Sequence, residues 1–435
     1  MRAYIETFGC QMNESDSERI LYLLEKEGYS RTNVIEKSDI IVINTCTVRE
    51  KAKNKLYGHI GNLKKIKEKN RDVLICIGGC AAQDLKENII GDFPYVDIVF
   101  GTHNIPELPE LINKRISSGK NVCSIKKNGF DPDVLKVKRN YKFKAFIPII
   151  MGCNNNCSYC IVPRVRGKEI SIESGKIINY VKELVSQGVI EITLIGQNVN
   201  SYGKNLDNPC SFSELLDMVS GIKGLKRIRF MTSNPMDFSK SIIDIIKSKK
   251  NITKHIHLPF QSGSNSILKK MRRKYTREDY LGIIYEIKRE IPDCSITTDV
   301  IVGFPGEEKK DFLETIDVVK KSRFIRAFTF IYSPRKGTLA AKMDDYISYT
   351  DKKRWFNELV EVQNRISYEE NNKFIGNKYK VLVEVISRKN PEILSGRMEN
   401  NIIVNFKGTK NLVGKLAYVY ITGARTFYLT GETIT

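Results

Sequence analysis

The run Gly152-Cys153-Asn154-Asn155-Asn156-Cys157-Ser158-Tyr159-Cys160 decides how this chain is read. Its spacing is C-x3-C-x2-C, so a single loop presents three thiols and no fourth. Soft thiolates select iron–sulfur clusters, zinc or cuprous copper. Three cysteines leave one iron of a four-iron cubane open, which makes that iron a reaction site rather than a structural staple. Structural zinc would want a fourth ligand close by. The nearest His residues, His103 and His255, are far off in sequence.

The loop follows a strand-like run, Ala145–Ile150, and similar runs recur at Glu191–Ile195, Arg227–Thr232, His255–Leu258, Ile296–Val302 and Ala327–Tyr332. Helical patterns lie between them, at Ile172–Gln187, Phe212–Ile222, Phe238–Lys249, Arg277–Glu290 and Lys309–Lys321. Six strand–helix repeats are fewer than the eight of a closed barrel, so an open six-stranded (β/α) partial TIM barrel is expected. Each strand ends in polar or glycine-rich residues: Gly196-Gln197-Asn198, Ser233-Asn234-Pro235, Gln261-Ser262-Gly263-Ser264 and Gly303-Phe304-Pro305-Gly306-Glu307. Barrel active sites gather at that end of the strands, and the cysteine loop lies on the same face.

Upstream, the first 120 or so residues read as parallel-sheet α/β units. Strands are expected at Tyr4–Phe8, Asp39–Cys46, Val73–Cys80, Ile98–Phe100 and Val122–Ile125, with helices at Ser15–Glu27 and Glu50–Asn70. Cys10, Cys46 and Cys80 each close a strand, and they are 36 and 34 residues apart, about one strand–helix–strand unit each. Parallel strands bring such ends together along one edge, where open α/β sheets bind ligands. The inference is a second three-thiolate site, again with one iron free. Three buried structural cysteines would show the same spacing. Gly9 and Gly78-Gly79 favour the cluster, because glycine permits close backbone approach to a cofactor. Cys76 falls inside its strand and belongs to the core.

From Asn371 onward the pattern changes to short alternating strands, at Tyr379–Ile386, Asn401–Phe406, Leu416–Ile421 and Thr426–Leu429, with turns at Gly396, Gly408 and Gly423. This is the size and spacing of a small all-β barrel of the OB-like kind. Arg388, Arg397, Lys407 and Arg425, with Tyr418, Tyr420 and Tyr428, suit RNA contact through phosphates and stacking. Three domains are therefore expected: 1–125, 140–370 and 371–435.

Composition agrees with a polyanionic partner. The chain has 435 residues, with 71 Lys+Arg against 50 Asp+Glu and a formal charge of +21. Such an excess favours a nucleic acid. The start has no charged-then-apolar leader, and no run reaches about 18 apolar residues. A soluble cytoplasmic protein with no membrane partner is expected, in which ten cysteines would not form disulfides.

The cysteine loop resembles the signature of the radical S-adenosylmethionine (SAM) enzymes, and the whole chain resembles their methylthiotransferases, within them the tRNA branch named MiaB. The matching segments are Thr7-Phe8-Gly9-Cys10-Gln11-Met12-Asn13, Asn44-Thr45-Cys46-Thr47-Val48-Arg49-Glu50, Gly79-Cys80-Ala81-Ala82-Gln83, Phe100-Gly101-Thr102-His103-Asn104-Ile105, and Cys153–Cys160 with Ile161-Val162-Pro163. Further along they are Ile195-Gly196-Gln197-Asn198-Val199-Asn200-Ser201-Tyr202-Gly203, Arg229-Phe230-Met231-Thr232-Ser233, Gln261-Ser262-Gly263-Ser264 and Thr298–Glu307. Asn156 departs from the family's usual aromatic, and Met398 from a frequent Thr; neither is a ligand position.

The resemblance implies a methylthiotransferase N-terminal domain, a radical barrel and a TRAM domain. It implies two 4Fe-4S clusters, on Cys153/Cys157/Cys160 and on Cys10/Cys46/Cys80, and SAM bound near Tyr159, Gln197, Gln261, Ser262, Asp299, Gly303, Phe304 and Glu307. The reaction implied is radical-mediated 2-methylthiolation of N6-isopentenyladenosine at position 37 of tRNA. Its partners would be the anticodon stem-loop and a reductant such as flavodoxin or ferredoxin, with the enzyme a monomer. Related enzymes act on threonylcarbamoyladenosine or a ribosomal protein, and a zinc-bearing RNA-binding protein is the non-catalytic alternative. Cys123, Cys210 and Cys294 match no ligand position.

Overall fold

The computed structural model of the chain describes residues 1–47, 50–129 and 131–434, and only the backbone of 50–55. Val48 and Arg49 of the Asn44–Glu50 segment thus lie outside the described residues.

Among the described residues the first domain is a six-stranded sheet whose strand pairs are all parallel. At its centre run Arg2–Thr7, Ile40–Thr45 and Leu74–Gly79, side by side in that order. Ile40, Ile41, Val42 and Ile43 are all fully buried. A parallel strand covered by helices on both faces has no solvent side, which is why this stretch does not alternate.

The helix Gln11–Lys26 begins four residues earlier than its apolar period suggested, with Cys10 as N-cap. Its first turns bury polar residues instead, including Asn13, Ser15, Ser17, Glu18 and Arg19. Asn13, Ser17, Glu18 and Arg19 face hydrogen-bonding partners rather than a greasy core. Arg19 is paired with Asp131 at 2.9 Å and donates to the Lys136 carbonyl, so residues 131–140 are strapped to this helix.

The second domain is the expected open barrel. Its six strands form two parallel three-stranded halves. Lys144–Pro148, Glu191–Ile195 and Arg227–Phe230 make one half, and His255–His257, Ser295–Val302 and Arg326–Ile331 the other. The halves meet through the bridge of Ile228 to Ile252 and the Ser233 amide, which donates to the His257 carbonyl. Helices coat the outside by burying one stripe, as Ser174–Ser186 does with Ile177, Val181 and Leu184.

The third domain is a closed barrel of five strands. Three readings of its sequence are corrected. Ile393–Met398 is a strand, and Gly396 lies inside it rather than in a turn. A Cβ there would meet the Leu382 carbonyl oxygen at 2.4 Å, so glycine serves a close strand approach. Gly423 sits at an irregularity inside Leu416–Ala424, again not in a turn. Thr426–Leu429 is not a strand: the chain turns there, with the Arg425 amide donating to the Tyr428 carbonyl, and the strand is Leu429–Thr433.

The turn joining Ile393–Met398 to Ile403–Lys407 caps the amino ends of the central barrel's strands. Arg227 donates to the Arg397 carbonyl, Arg229 to those of Met398 and Glu399, and Ser295 to that of Asn400. The opposite, carboxyl end of that barrel therefore stays available for a site. No helix among the described residues is long and apolar enough to cross a membrane.

Candidate active site: two cysteine triads at a domain contact

The sheet delivers its three cysteines to one edge. Cys10 follows Arg2–Thr7, Cys46 follows Ile40–Thr45, and Cys80 starts a helix after Leu74–Gly79. Two glycines make the approach possible. A Cβ on Gly9 would meet Cys46 Cβ at 2.7 Å, and one on Gly79, at φ +90°, would meet Asn44 Oδ1 at 2.3 Å. Asn13 and Asn44 tie the strand ends together, with Asn13 Nδ2 donating to the Thr45 carbonyl and Asn44 Nδ2 to the Asn13 carbonyl. Cys46 and Cys80 are buried, and Cys10 is exposed at the mouth.

The second triad is held by its own loop and by the barrel. The Cys153 amide donates to the Gly167 carbonyl, and the Cys160 amide to that of Cys157. Ser158 anchors the loop from below through Lys270, Met271 and Ala340. Arg273 Nη1 donates to Cys157 Sγ at 3.4 Å, and Asn155 Nδ2 reaches Cys153 Sγ at 3.5 Å.

Within each set the sulfurs act on one another's protonation. Burial pushes the Cys80 thiol up to about 12, Arg166 pulls it down, and the Cys46 and Cys10 sulfurs push it further up. Burial likewise pushes Cys160 up to about 12, followed by the charge of Cys157. Thiols must lose their protons to bind metal, so a bound cation supplies what burial opposes. No group of three or more His, Cys, Asp or Glu among the described residues gathers on a single-ion point. The three thiols of the Cys153–Cys160 loop are the ligand number of a four-iron cluster with one open iron.

Expected SAM contacts fall in two groups. Tyr159 packs edge-on against Phe304 at 6.4 Å between ring centroids, within the cluster that contains Ile267, Met271 and Tyr332. Gln197 accepts from the Gly152 amide, so it grips the cysteine loop itself. Gln261, at φ +69°, bridges to Val300 beside Asp299, whose carboxylate lies 3.6 Å from His257 Nε2. Ser262 and Glu307 are occupied in holding the fold. Ser262 Oγ accepts from the Ser264 amide, and one Glu307 oxygen accepts from both the Gly303 and Phe304 amides. Burial raises Glu307 to about 7.

On the C-terminal barrel Arg388, Lys407 and Arg425 are exposed. Arg397 is instead engaged with Glu384 at 3.4 Å and with Asn401. Register adds two lysines that the sequence reading missed beside its expected tyrosines: Lys378 pairs with Tyr420 and Lys380 with Tyr418, all four exposed.

Arg166 was also missed. It follows the cysteine loop in Val162–Arg166, yet it donates from Nε to Cys80 Sγ at 3.3 Å and pairs with Asp16 at 2.6 Å. Its basic neighbours in sequence disguise it, and its partners are 86 and 150 residues away.

Residues 2–101 match the uncharacterized protein family UPF0004, residues 147–319 the radical SAM superfamily and residues 372–434 the TRAM domain. The chain is 48% identical over 435 residues to the tRNA-2-methylthio-N(6)-dimethylallyladenosine synthase of Lachnoclostridium phytofermentans, covering 98% of this chain and 94% of that one. With the protein of the same name from Clostridioides difficile it shares 47% over 432 residues, covering 98% and 90%. In fold it resembles the radical SAM methyltransferase TsrM of Kitasatospora setae, solved with cobalamin and a 4Fe-4S cluster, at TM-score 0.56 and 15% identity over 78% of this chain and 77% of that one. The cobalamin-dependent SAM radical enzyme OxsB gives 0.53 and 10% over 84% and 56%. The chain belongs to the radical SAM methylthiotransferases, in the branch of the tRNA-2-methylthio-N(6)-dimethylallyladenosine synthases.

Proposed function

We propose that this enzyme 2-methylthiolates N6-isopentenyladenosine at position 37 of tRNA, using two 4Fe-4S clusters and SAM. The observation that carries the reading is the packing of Cys80 against Ile161, the residue after Cys160. It draws a second cysteine triad up to the first, so a sulfur held by one and a nucleoside activated at the other would need no long transfer. Membership of the radical SAM superfamily brings SAM and one cluster. The second cluster, on Cys10, Cys46 and Cys80, is our reading of the sheet edge.

When bound, the Cys153/Cys157/Cys160 cluster with one SAM would supply hydrogen abstraction from carbon 2 of the adenine, and the other cluster would supply the sulfur, methylated by a second SAM. The chain's own residues do the rest. Gln197 fixes the loop through the Gly152 amide. Tyr159, backed by the fully buried Phe304, would offer a ring face for an adenine, and Asp299, braced by His257, would serve from the second half of its strand as an acceptor for a ribose hydroxyl. The TRAM domain would hold the anticodon stem-loop through Arg388, Lys407 and Arg425. A flavodoxin- or ferredoxin-like reductant, a monomeric state and a cytoplasmic location complete the proposal.

Iron and labile sulfide after anaerobic reconstitution test it. About eight irons per chain, falling to about four in the Cys153/Cys157/Cys160→Ala variant, are expected from two cubanes. About four falling to none would leave the sheet-edge cysteines structural. tRNA from a deletion strain should lack the methylthio group on its isopentenyl nucleoside; if the group persists, the substrate assignment fails.

A further inference from the structure

Arg166 occupies an unusual position. It belongs to the barrel domain, yet both of its side-chain partners belong to the first domain. Its Nη2 and Nη1 reach the two oxygens of Asp16, at 2.6 and 3.5 Å, while Nε points to Cys80 Sγ at 3.3 Å. The guanidinium is buried, 7% exposed. A guanidinium keeps its charge even when buried, and Asp16 lies opposite it as a counter-charge.

The fork to Asp16 already accounts for domain docking. A buried, bidentate ion pair needs no third bond to fix two surfaces together. The Nε donor goes further and lands on one of the three sulfurs at the sheet edge. We infer that Arg166 is a positioning residue for the cluster on Cys10, Cys46 and Cys80, and that its hydrogen bond to Cys80 sets the reduction potential of that cluster. The inference rests on the two-cluster reading above.

The physics has a definite sign. A hydrogen bond to a ligand sulfur, with a positive charge behind it, stabilises the electron-richer state of a cluster and raises its potential. Asp16 acts in the opposite direction, because its negative charge offsets part of the guanidinium. The other triad has a similar donor, Arg273 on Cys157, but that arginine comes from the same domain as its cysteine. At Cys80 the donor arrives from across the contact. The redox character of the first domain's cluster therefore depends on the barrel being docked.

The test uses the full chain carrying Cys153/Cys157/Cys160→Ala, so that only the sheet-edge cluster can form. Iron is counted after anaerobic reconstitution, and the midpoint potential is read by EPR-monitored titration in this background, in background plus Arg166→Met, and in background plus Asp16→Asn. We expect about four irons per chain, a more negative potential for Arg166→Met and a more positive one for Asp16→Asn. Opposite shifts are a signature that a purely structural ion pair would not produce. Full iron content with unmoved potentials in both variants overturns the inference and leaves the two-cluster reading standing. A background protein without iron removes the two-cluster reading itself. If Arg166→Met does not retain iron, Asp16→Asn decides alone, and a potential equal to the background overturns the inference.

Discussion

Cys80 and Ile161 lie in one small buried cluster with Val165, at the contact between the helix that starts at Cys80 and the helix that follows the cysteine loop. One residue is a sheet-edge cysteine, and the other directly follows the last cysteine of the barrel loop. The hydrophobic contact between them sets the two triads in register, with the Asp16–Arg166 pair beside it.

Shortening Ile161 should loosen that register. Ile161 is 3% exposed and Val165 1%, so Ile161→Ala opens a cavity in packing that has no slack. A loss of about 2–4 kcal/mol is expected at the contact. It should appear as a lower thermal midpoint and as faster proteolysis between the domains, at residues 126–143. Ile161→Val, which keeps most of the volume, should stay close to the parent.

The capped end of the barrel depends on a buried charge cluster. Glu191 lies 3.1 Å from Arg229 and 3.8 Å from Arg227, with all three side chains nearly inaccessible. Burial and the neighbouring Arg229 already pull Arg227 down to about 10. Glu191→Gln would take from two buried cations the carboxylate that contacts both, at a cost of about 3–5 kcal/mol. Adding Arg229→Met should recover part of this, because it removes one of those two cations. Denaturant midpoints of the four proteins in the cycle check it.

Much of this architecture was legible in the sequence, and what was not has a common cause. The strands announced themselves through runs such as Ile40–Ile43, because burial on both faces leaves an unbroken apolar stretch. The cysteines were readable because each triad needs thiols at fixed places, within one loop or at successive strand ends. The first turns of Gln11–Lys26 were hidden, since their buried side chains are polar and meet partners from the 131–140 segment. Arg166 was hidden for the same reason: its role is fixed by Asp16 and Cys80, which only the folded chain brings near. In the last domain Gly396 was misread, because glycine marks close approach between strands as well as turns.

Stability should fall as pH rises through mild acidity. Burial raises the Glu18 carboxyl to about 7, against a weaker lowering by the Asn140 amide, and Glu307 is raised to about 7 as well. A carboxyl with a folded pKa above its unfolded value keeps its proton more firmly in the folded state. Its contribution is complete below the unfolded value of 4.5 and is lost as pH climbs to about 7. The loss is at most about 3 kcal/mol per group. Glu18→Gln and Glu307→Gln should each flatten the slope of thermal midpoint against pH in that window, and the double variant should flatten it most.

The basic, aromatic face of the C-terminal barrel makes a separable prediction about tRNA. Lys378 stands across from Tyr420 and Lys380 across from Tyr418, and the Lys380 ammonium lies 5.5 Å from the Tyr418 ring centre. Phosphate contacts release counterions, so each lysine lost should lower the slope of log affinity against log salt by about 1. Stacking does not depend on counterions: Tyr420→Ala should cost about 1–3 kcal/mol of binding while leaving the slope unchanged. Arg397 provides the control, because its guanidinium is committed to Glu384 and Asn401 and its loss should leave the slope alone. Filter binding of unmodified tRNA across a salt series measures all of these. A slope unmoved by Lys378→Ala and Lys380→Ala would place the phosphate contacts elsewhere on this strongly basic chain.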